Sequence, residues 1–261
     1  MNILFWNVQK KDLSLAANQI CIDEKIDLCI FAEASNLDES IITTNSFNKI
    51  VTLNNLSIFT KYSSSIVKVI HESMRYSLLL VNSPISGDVF ICCLHLISKF
   101  NYSDTSILLE VQILMREIDK RKSEYNISHV IICGDFNQNP YEPAMVSAAC
   151  FNATCDRTIA KKMSRQVLGK SYDYYYNPMW KFYAATSRPY GTYFHHSSTH
   201  DTIHWNILDQ FIISSSLLDL ISDNDFKIVT KNKNDSFVNR VGVINKKNFS
   251  DHLPIVMNSN I

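Results

Sequence analysis

Short apolar runs recur along the whole chain, and several carry apolar residues on both faces: "NILFW", "DLCIFA", "YSLLLVN", "VFICCLHL", "HVIICGDF" and "LDQFIIS". A strand exposing one face to water alternates apolar and polar residues. A strand apolar on both faces is covered on both sides. Further runs, "LSIFTKY", "SIVKVI", "FKIVTK", "NRVGVI" and "LPIVM", extend the pattern to the C-terminus. Helical patterns are fewer. Residues 104–122 place Ile107, Leu108, Val111, Leu114, Met115 and Ile118 at i, i+3, i+4, i+7 spacing, with Asp104 or Ser106 as cap and basic residues at the end. Residues 13–25 form a shorter amphipathic segment carrying Leu15, Ile22 and Lys25, and residues 142–150 a third helix. The economical architecture is α/β, two packed mixed sheets flanked by helices. No composition break divides the 261 residues, so a single domain over 1–261 is expected.

The strands end on chemistry. "NILFWN" closes on Asn7, "DLCIFAE" on Glu33, "VFICCLH" on His95, and "HVIICGDFN" on Asp135 and Asn137. Two later strands open on polar residues, "LDQFIIS" on Asp209 and "SDHLPIV" on Asp251 and His252. If the first four run one way and the last two the other, all eight side chains gather at one sheet edge. Asp135 and Asn137, two apart, would share a strand face. A carboxylate ending a buried run is costly unless a cation meets it. Oxygen donors without cysteine suit magnesium or manganese. A hard cation beside a histidine oriented by a carboxylate is equipment for hydrolysing a phosphoester.

These residues resemble the endonuclease/exonuclease/phosphatase superfamily, which includes deoxyribonucleases, apurinic/apyrimidinic endonucleases, sphingomyelinases and inositol polyphosphate phosphatases. "FWNVQ", "FAEAS", "HLISK", "GDFNQNP", "LDQFIIS" and "SDHLPIV" carry the resemblance in order along nearly the whole chain. It implies a four-layer α/β sandwich and a Mg2+- or Mn2+-dependent phosphodiesterase, foremost a nuclease acting on DNA or RNA. Glu33, Asn7 and Asp251 are then expected at the metal, with Glu33 a direct ligand. Asp135 and Asn137 would position the nucleophile and the scissile phosphate. His252, oriented by Asp209, would be the general base or a donor to the transition state, and His95 would assist. Glu72 is a candidate carboxylate partner for His95, though poorly placed. Arg75 is a candidate phosphate contact. Gln210 departs from the pattern, since many relatives carry Tyr there.

Composition narrows the partners. Basic and acidic residues balance at 25 each, so any polyanion site must be a local patch. Residues 157–170 carry basic residues and no acid and run into "SYDYYYNPMW". Lys161, Lys162, Arg165, Tyr174 and Trp180 are therefore candidate substrate contacts by charge and stacking, or else a solvated helix face followed by core aromatics. The stretch from Lys227 to Lys247 is also mostly basic. His196, His200 and His204 are spaced by four as zinc ligands on a helix would be, but "SST" and "DT" argue for a loop. Seven cysteines without CxxC, mostly within apolar runs, fit buried thiols in a reducing, cytoplasmic setting. The opening "MNILFWNVQKK" reads as a first strand rather than a signal peptide, and no run is long enough to span a membrane. A small-molecule or lipid phosphohydrolase and an inactive nucleic-acid-binding scaffold are the alternatives.

Overall fold

The structure, a computed structural model, describes residues 1–196, 202–259 and 261. The chain begins with β1 (Asn2–Asn7), α1 (Ser14–Asp23), β2 (Leu28–Ala32), α2 (Glu39–Thr43), β3 (Asn48–Ile50) and β4 (Leu56–Thr60). A meander of β5 (Val67–Glu72), β6 (Tyr76–Ser83) and β7 (Gly87–His95) leads through α3 (Asp104–Tyr125) into β8 (His129–Asp135). Shorter elements follow: α4 (Pro143–Val146), β9 (Ala153–Thr154), α5 (Arg157–Ala160), β10 (Ser164–Val167), β11 (Lys170–Asp173), β12 (Tyr175–Tyr176), β13 (Tyr193–Phe194) and β14 (Trp205–Asn206). The chain closes with β15 (Asp209–Ser214), β16 (Phe226–Ile228) and β17 (Ile255–Asn258).

Two mixed sheets dominate. One has the order β16-β17-β1-β2-β4-β3, the other β5-β6-β7-β8-β15-β12-β9. The period-two geometry of a strand explains why their sequences are apolar throughout. Ile3, Phe5 and Ile30 of the first sheet meet Leu79, Ile91, Ile131 and Phe211 of the second in a shared core. The alternate residues Leu4, Trp6, Cys29 and Phe31 face α1 and α2. On the far side Phe90, Cys92, Ile132 and Ile212 face α3, which lays Ile107, Val111, Leu114, Met115 and Ile118 on them. The result is the four-layer sandwich expected, helices outside and two sheets within. Burying each large α3 side chain favours docking by about 1.5–3 kcal/mol.

Some local expectations are corrected. The α3 cap is Ser103, whose hydroxyl accepts the Ser106 N–H, rather than Asp104 or Ser106. In α1, Leu15 and Ile22 point outward at 75% and 51% exposure, while Ala16, Ala17, Ile20 and Cys21 are buried, so small residues let this helix lie close to its sheet. Lys25 lies beyond α1, at positive φ. The third helix shrinks to Pro143–Val146. "NRVGVI" forms no strand; a single bridge joins Val238 and Ile244 around a turn at Gly242. Six cysteines are buried as free thiols and Cys155 is exposed.

Candidate active site

The two sheets bring their strand ends to one edge. β1 runs parallel to β2, and β7 parallel to β8 with His95 paired to Asp135. β15 runs antiparallel to β8 and places Asp209 opposite Asp135. β17 runs antiparallel to β1, so the residues before it, Asp251 and His252, arrive at the same end.

Asp135 is the centre of the cluster. Its Oδ2 accepts from Asn7 Nδ2 at 3.0 Å and lies 3.8 Å from His95 Nε2 and 4.0 Å from His252 Nδ1. Its Oδ1 accepts the Asn137 N–H at 2.9 Å. Asn137 does not share a strand face with Asp135, as its spacing suggested. β8 ends at Asp135, and Asn137 turns the chain at φ +50. Its amide then donates to the Leu96 carbonyl at 2.9 Å. Glu33 follows β2, also in the left-handed region at φ +50, an uncommon conformation for a residue with a side chain. Its Oε1 is 3.4 Å from Asn7 Nδ2 and 4.0 Å from His95 Nε2. Glu72 does not pair with His95. It accepts from Leu53 N–H and Ser77 Oγ instead. Gly134 explains itself by close approach: a Cβ there would lie 1.9 Å from the Leu94 carbonyl oxygen.

His252 and Asp209 form a buried pair, Nδ1 donating to Oδ2 at 2.8 Å. Burial pushes the imidazolium down, but Asp209, Asp135 and Asp251 outweigh it and raise His252 to about 10. Burial likewise pushes the Asp209 carboxyl up, against the lowering pull of His252 and the Thr192 hydroxyl. The direction we stand behind is an ion pair with the proton on the imidazole. With Nδ1 committed to Asp209, Nε2 is the nitrogen left to meet a substrate.

Several supporting residues had no legible signal. Thr192, fully buried, accepts the N–H groups of Leu208 and Asp209 on its Oγ1, both at 3.1 Å. Ser250 donates to the Asn7 carbonyl at 2.6 Å and accepts the His252 N–H at 3.1 Å, tying together the two strand ends of the first sheet that carry these residues. Trp6 Nε1 donates to the His252 carbonyl at 2.9 Å. The Tyr193 ring lies 4.9 Å from that of His252. Gln210 is buried and turned to backbone work. It donates to the Gln138 and Ile207 carbonyls and accepts from Asn177.

The donor chemistry fits a hard divalent cation. Asp135, Asp209 and His252 offer ligand atoms all within 4.8 Å of one another. Asp209 is already engaged by His252, which leaves Asp135 and Glu33 as oxygen donors around Asn7, with Asp251 next to His252 in the chain. Four carboxylates face two histidines there, an excess of negative charge that a cation offsets.

Two depressions flank this centre. One of about 660 Å3 is lined by Lys10, Glu33, Lys49, Val51, Arg75 and His95 among others. The other, about 380 Å3, includes Lys99, Asn137, Glu142, Tyr193 and His195. Arg75 thus lies beside the site. Trp180 packs with Tyr141 and Tyr183, and Tyr183 donates to Asn139, at the flank of the second depression. The other basic and aromatic candidates lie elsewhere. Tyr175 pairs with Ser214, the end of β15 away from Asp209, about 17 Å along the strand. Tyr174 is next to it and bonds Met163, so Lys161, Lys162 and Arg165 go with it. Lys161 is paired with Asp219, and Arg165 with Asn152 beneath the Tyr174 ring. In the later basic stretch Lys227 is paired with Glu24. Of the histidine triplet, His200 lies outside the described residues. His196 and His204 rings are 6.1 Å apart on either side of that gap.

No family model matches the sequence, and no curated protein matches it. Solved structures do resemble it. A 3' phosphatase, NExo, from Neisseria bound to a product DNA hairpin superposes with TM-score 0.60 at 10% identity over 100% of both chains. An AP endonuclease from Archaeoglobus fulgidus gives 0.57 at 13% identity over 100% of both. This is the endonuclease/exonuclease/phosphatase fold. Truncated TDP2 from Caenorhabditis elegans gives TM-score 0.55 at 16% identity over 98% of this chain and 95% of that one.

Proposed function

We propose that the chain is a divalent-metal-dependent phosphodiesterase, foremost a nuclease on DNA or RNA. One observation carries the reading. Asn7, His95, the Asn137 N–H and the His252–Asp209 pair all converge on the Asp135 carboxylate at the joined edge of two sheets. Glu33, Asp135 and Asp251 would hold Mg2+ or Mn2+, which when bound supplies charge for the phosphoryl oxygens and acidity for water. His252, charged and steadied by Asp209, would donate from Nε2 to a phosphoryl oxygen. That favours the donor role over the general-base role. Asp135 would align the attacking water and take its proton, with Asn137 and His95 contacting the phosphate. Structures of similar fold bound to a DNA hairpin or complexed with single strand DNA product support nucleic acid as substrate, by analogy of fold. The free cysteines suit a reducing compartment such as the cytoplasm. Among the described residues no helix is long and apolar enough to cross a membrane.

A second reading, a phosphodiester with an apolar substituent, is favoured by one feature. Val51 and Met74 line the first depression while 81% and 84% exposed, and Phe100, next to Lys99 of the second, is 93% exposed. One panel separates the two. The protein is assayed with Mg2+, Mn2+ or EDTA on single- and double-stranded DNA, RNA, an abasic duplex, bis(p-nitrophenyl) phosphate and phosphodiester lipids. Metal-dependent nucleic-acid cleavage that is lost in His252→Ala supports the nuclease. Turnover of lipid or small diester alone overturns it in favour of the second reading.

A further inference from the structure

β7 leaves its sheet at His95, yet the backbone groups that follow are buried and need partners. Leu96 N–H donates to the Asp135 carbonyl at 2.9 Å, and the Leu96 carbonyl accepts from Asn137 Nδ2 at 2.9 Å. Ile97 N–H turns instead to α3 and donates to Glu110 Oε2 at 3.2 Å. The other carboxylate oxygen, Oε1, lies 3.8 Å from Arg75 Nε. The Arg75 carbonyl accepts the His95 N–H at 2.9 Å and completes the circuit. Around this carboxylate the helix face is apolar: Ile107, Val111 and Leu114 belong to the outer core.

An ion pair out in solvent would contribute little. This carboxylate is mostly covered, and it touches two segments that both lead to the site. Ile97 is next to the carbonyl that anchors Asn137. Arg75 lines the depression that holds Glu33 and His95.

We infer that Glu110 is a positioning residue for phosphodiester hydrolysis: through the Ile97 N–H it sets the His95–Leu96 segment against Asp135 and Asn137, and through Arg75 it aims a guanidinium at a flanking phosphate. The inference rests on the function proposed above. A salt bridge that merely steadied α3 would affect stability without discriminating between substrates.

The test compares wild type, Glu110→Gln, Glu110→Ala, Arg75→Ala and the Arg75→Ala/Glu110→Gln double variant. Each is assayed on the best nucleic-acid substrate and on bis(p-nitrophenyl) phosphate, with melting temperatures recorded. Glu110→Ala removes both contacts and is expected to lower kcat about tenfold on both substrates, the scale of a small misplacement of catalytic groups. Glu110→Gln keeps an oxygen for Ile97 N–H and is expected to recover at least threefold of that loss. Its KM should rise on nucleic acid alone, as in Arg75→Ala, and the two changes should not add. Wild-type kinetics in Glu110→Ala overturn the inference. So does an equal loss in Gln and Ala variants that tracks melting temperature on both substrates. A wild type inactive on every phosphodiester overturns the hydrolase reading itself, and this inference with it.

Discussion

At the scale of single residues, the site depends on who holds each proton and each lone pair. His252→Ala is expected to lower kcat by about 10²–10⁴ with the fold intact, measured beside circular dichroism. The raised His252 value also has a thermodynamic sign. The folded protein binds this proton more tightly than the unfolded chain, so its contribution is full below about pH 6.5 and fades as pH rises toward about 10. Asp209, also raised, has the same sign at lower pH. In metal-free buffer, the stability gap between wild type and His252→Gln should therefore narrow from pH 6 to pH 10 in denaturant titrations. A gap that widens would reverse the assignment. Thr192→Val strips the acceptor from two buried N–H groups and should cost about 2 kcal/mol or more. The eight strand-end residues were legible because polar groups ending buried strands are conspicuous. Thr192 and Ser250 were not readable in role, because a hydroxyl serving the backbone looks in sequence like any other hydroxyl.

At the scale of elements, what a pattern specifies is a period, and what it leaves open is a neighbour. The α3 stripe was readable because large residues repeat along a helix of 22 residues. In α1 the large residues misled: Leu15 and Ile22 face water and alanines face the sheet. Ile20→Ala should cost about 2–5 kcal/mol and Leu15→Ala close to nothing, by thermal unfolding. The position of the basic segment depended on which end of β15 receives β12, and no local pattern states that. Register matters equally between β7 and β8. Gly134→Ala would drive a methyl into the Leu94 carbonyl, parting the strands where His95 faces Asp135. It should cost about 3 kcal/mol and most of the activity, and a well-behaved, active variant would refute that account.

At the scale of the molecule, two of the three lysines that line the depressions beside the site, Lys49 and Lys99 but not Lys10, are already paired. Lys49 is bonded to Glu39, and Lys99 is paired with Glu142 and lies 3.6 Å from Asp104. Binding to nucleic acid should therefore weaken only gently with salt, with a log–log slope no steeper than about −3, the counterion release of a few phosphate contacts. A slope near −6 would point to a basic surface other than this cleft. The site itself is divided between two bodies. Asn7, Glu33 and His252 come with one sheet, and His95, Asp135 and Asp209 with the other. Their meeting bonds, Asn7 to Asp135 and His252 to Asp209, cross the seam. His252 comes just ahead of β17, late in chain order, and β17 pairs with β1. Asn7, Glu33, His95, Asp135 and Asp209 all precede His252 in the chain, so the set is complete only once β17 docks beside β1. For the hydrolase proposed above, activity would then arrive only with that closure.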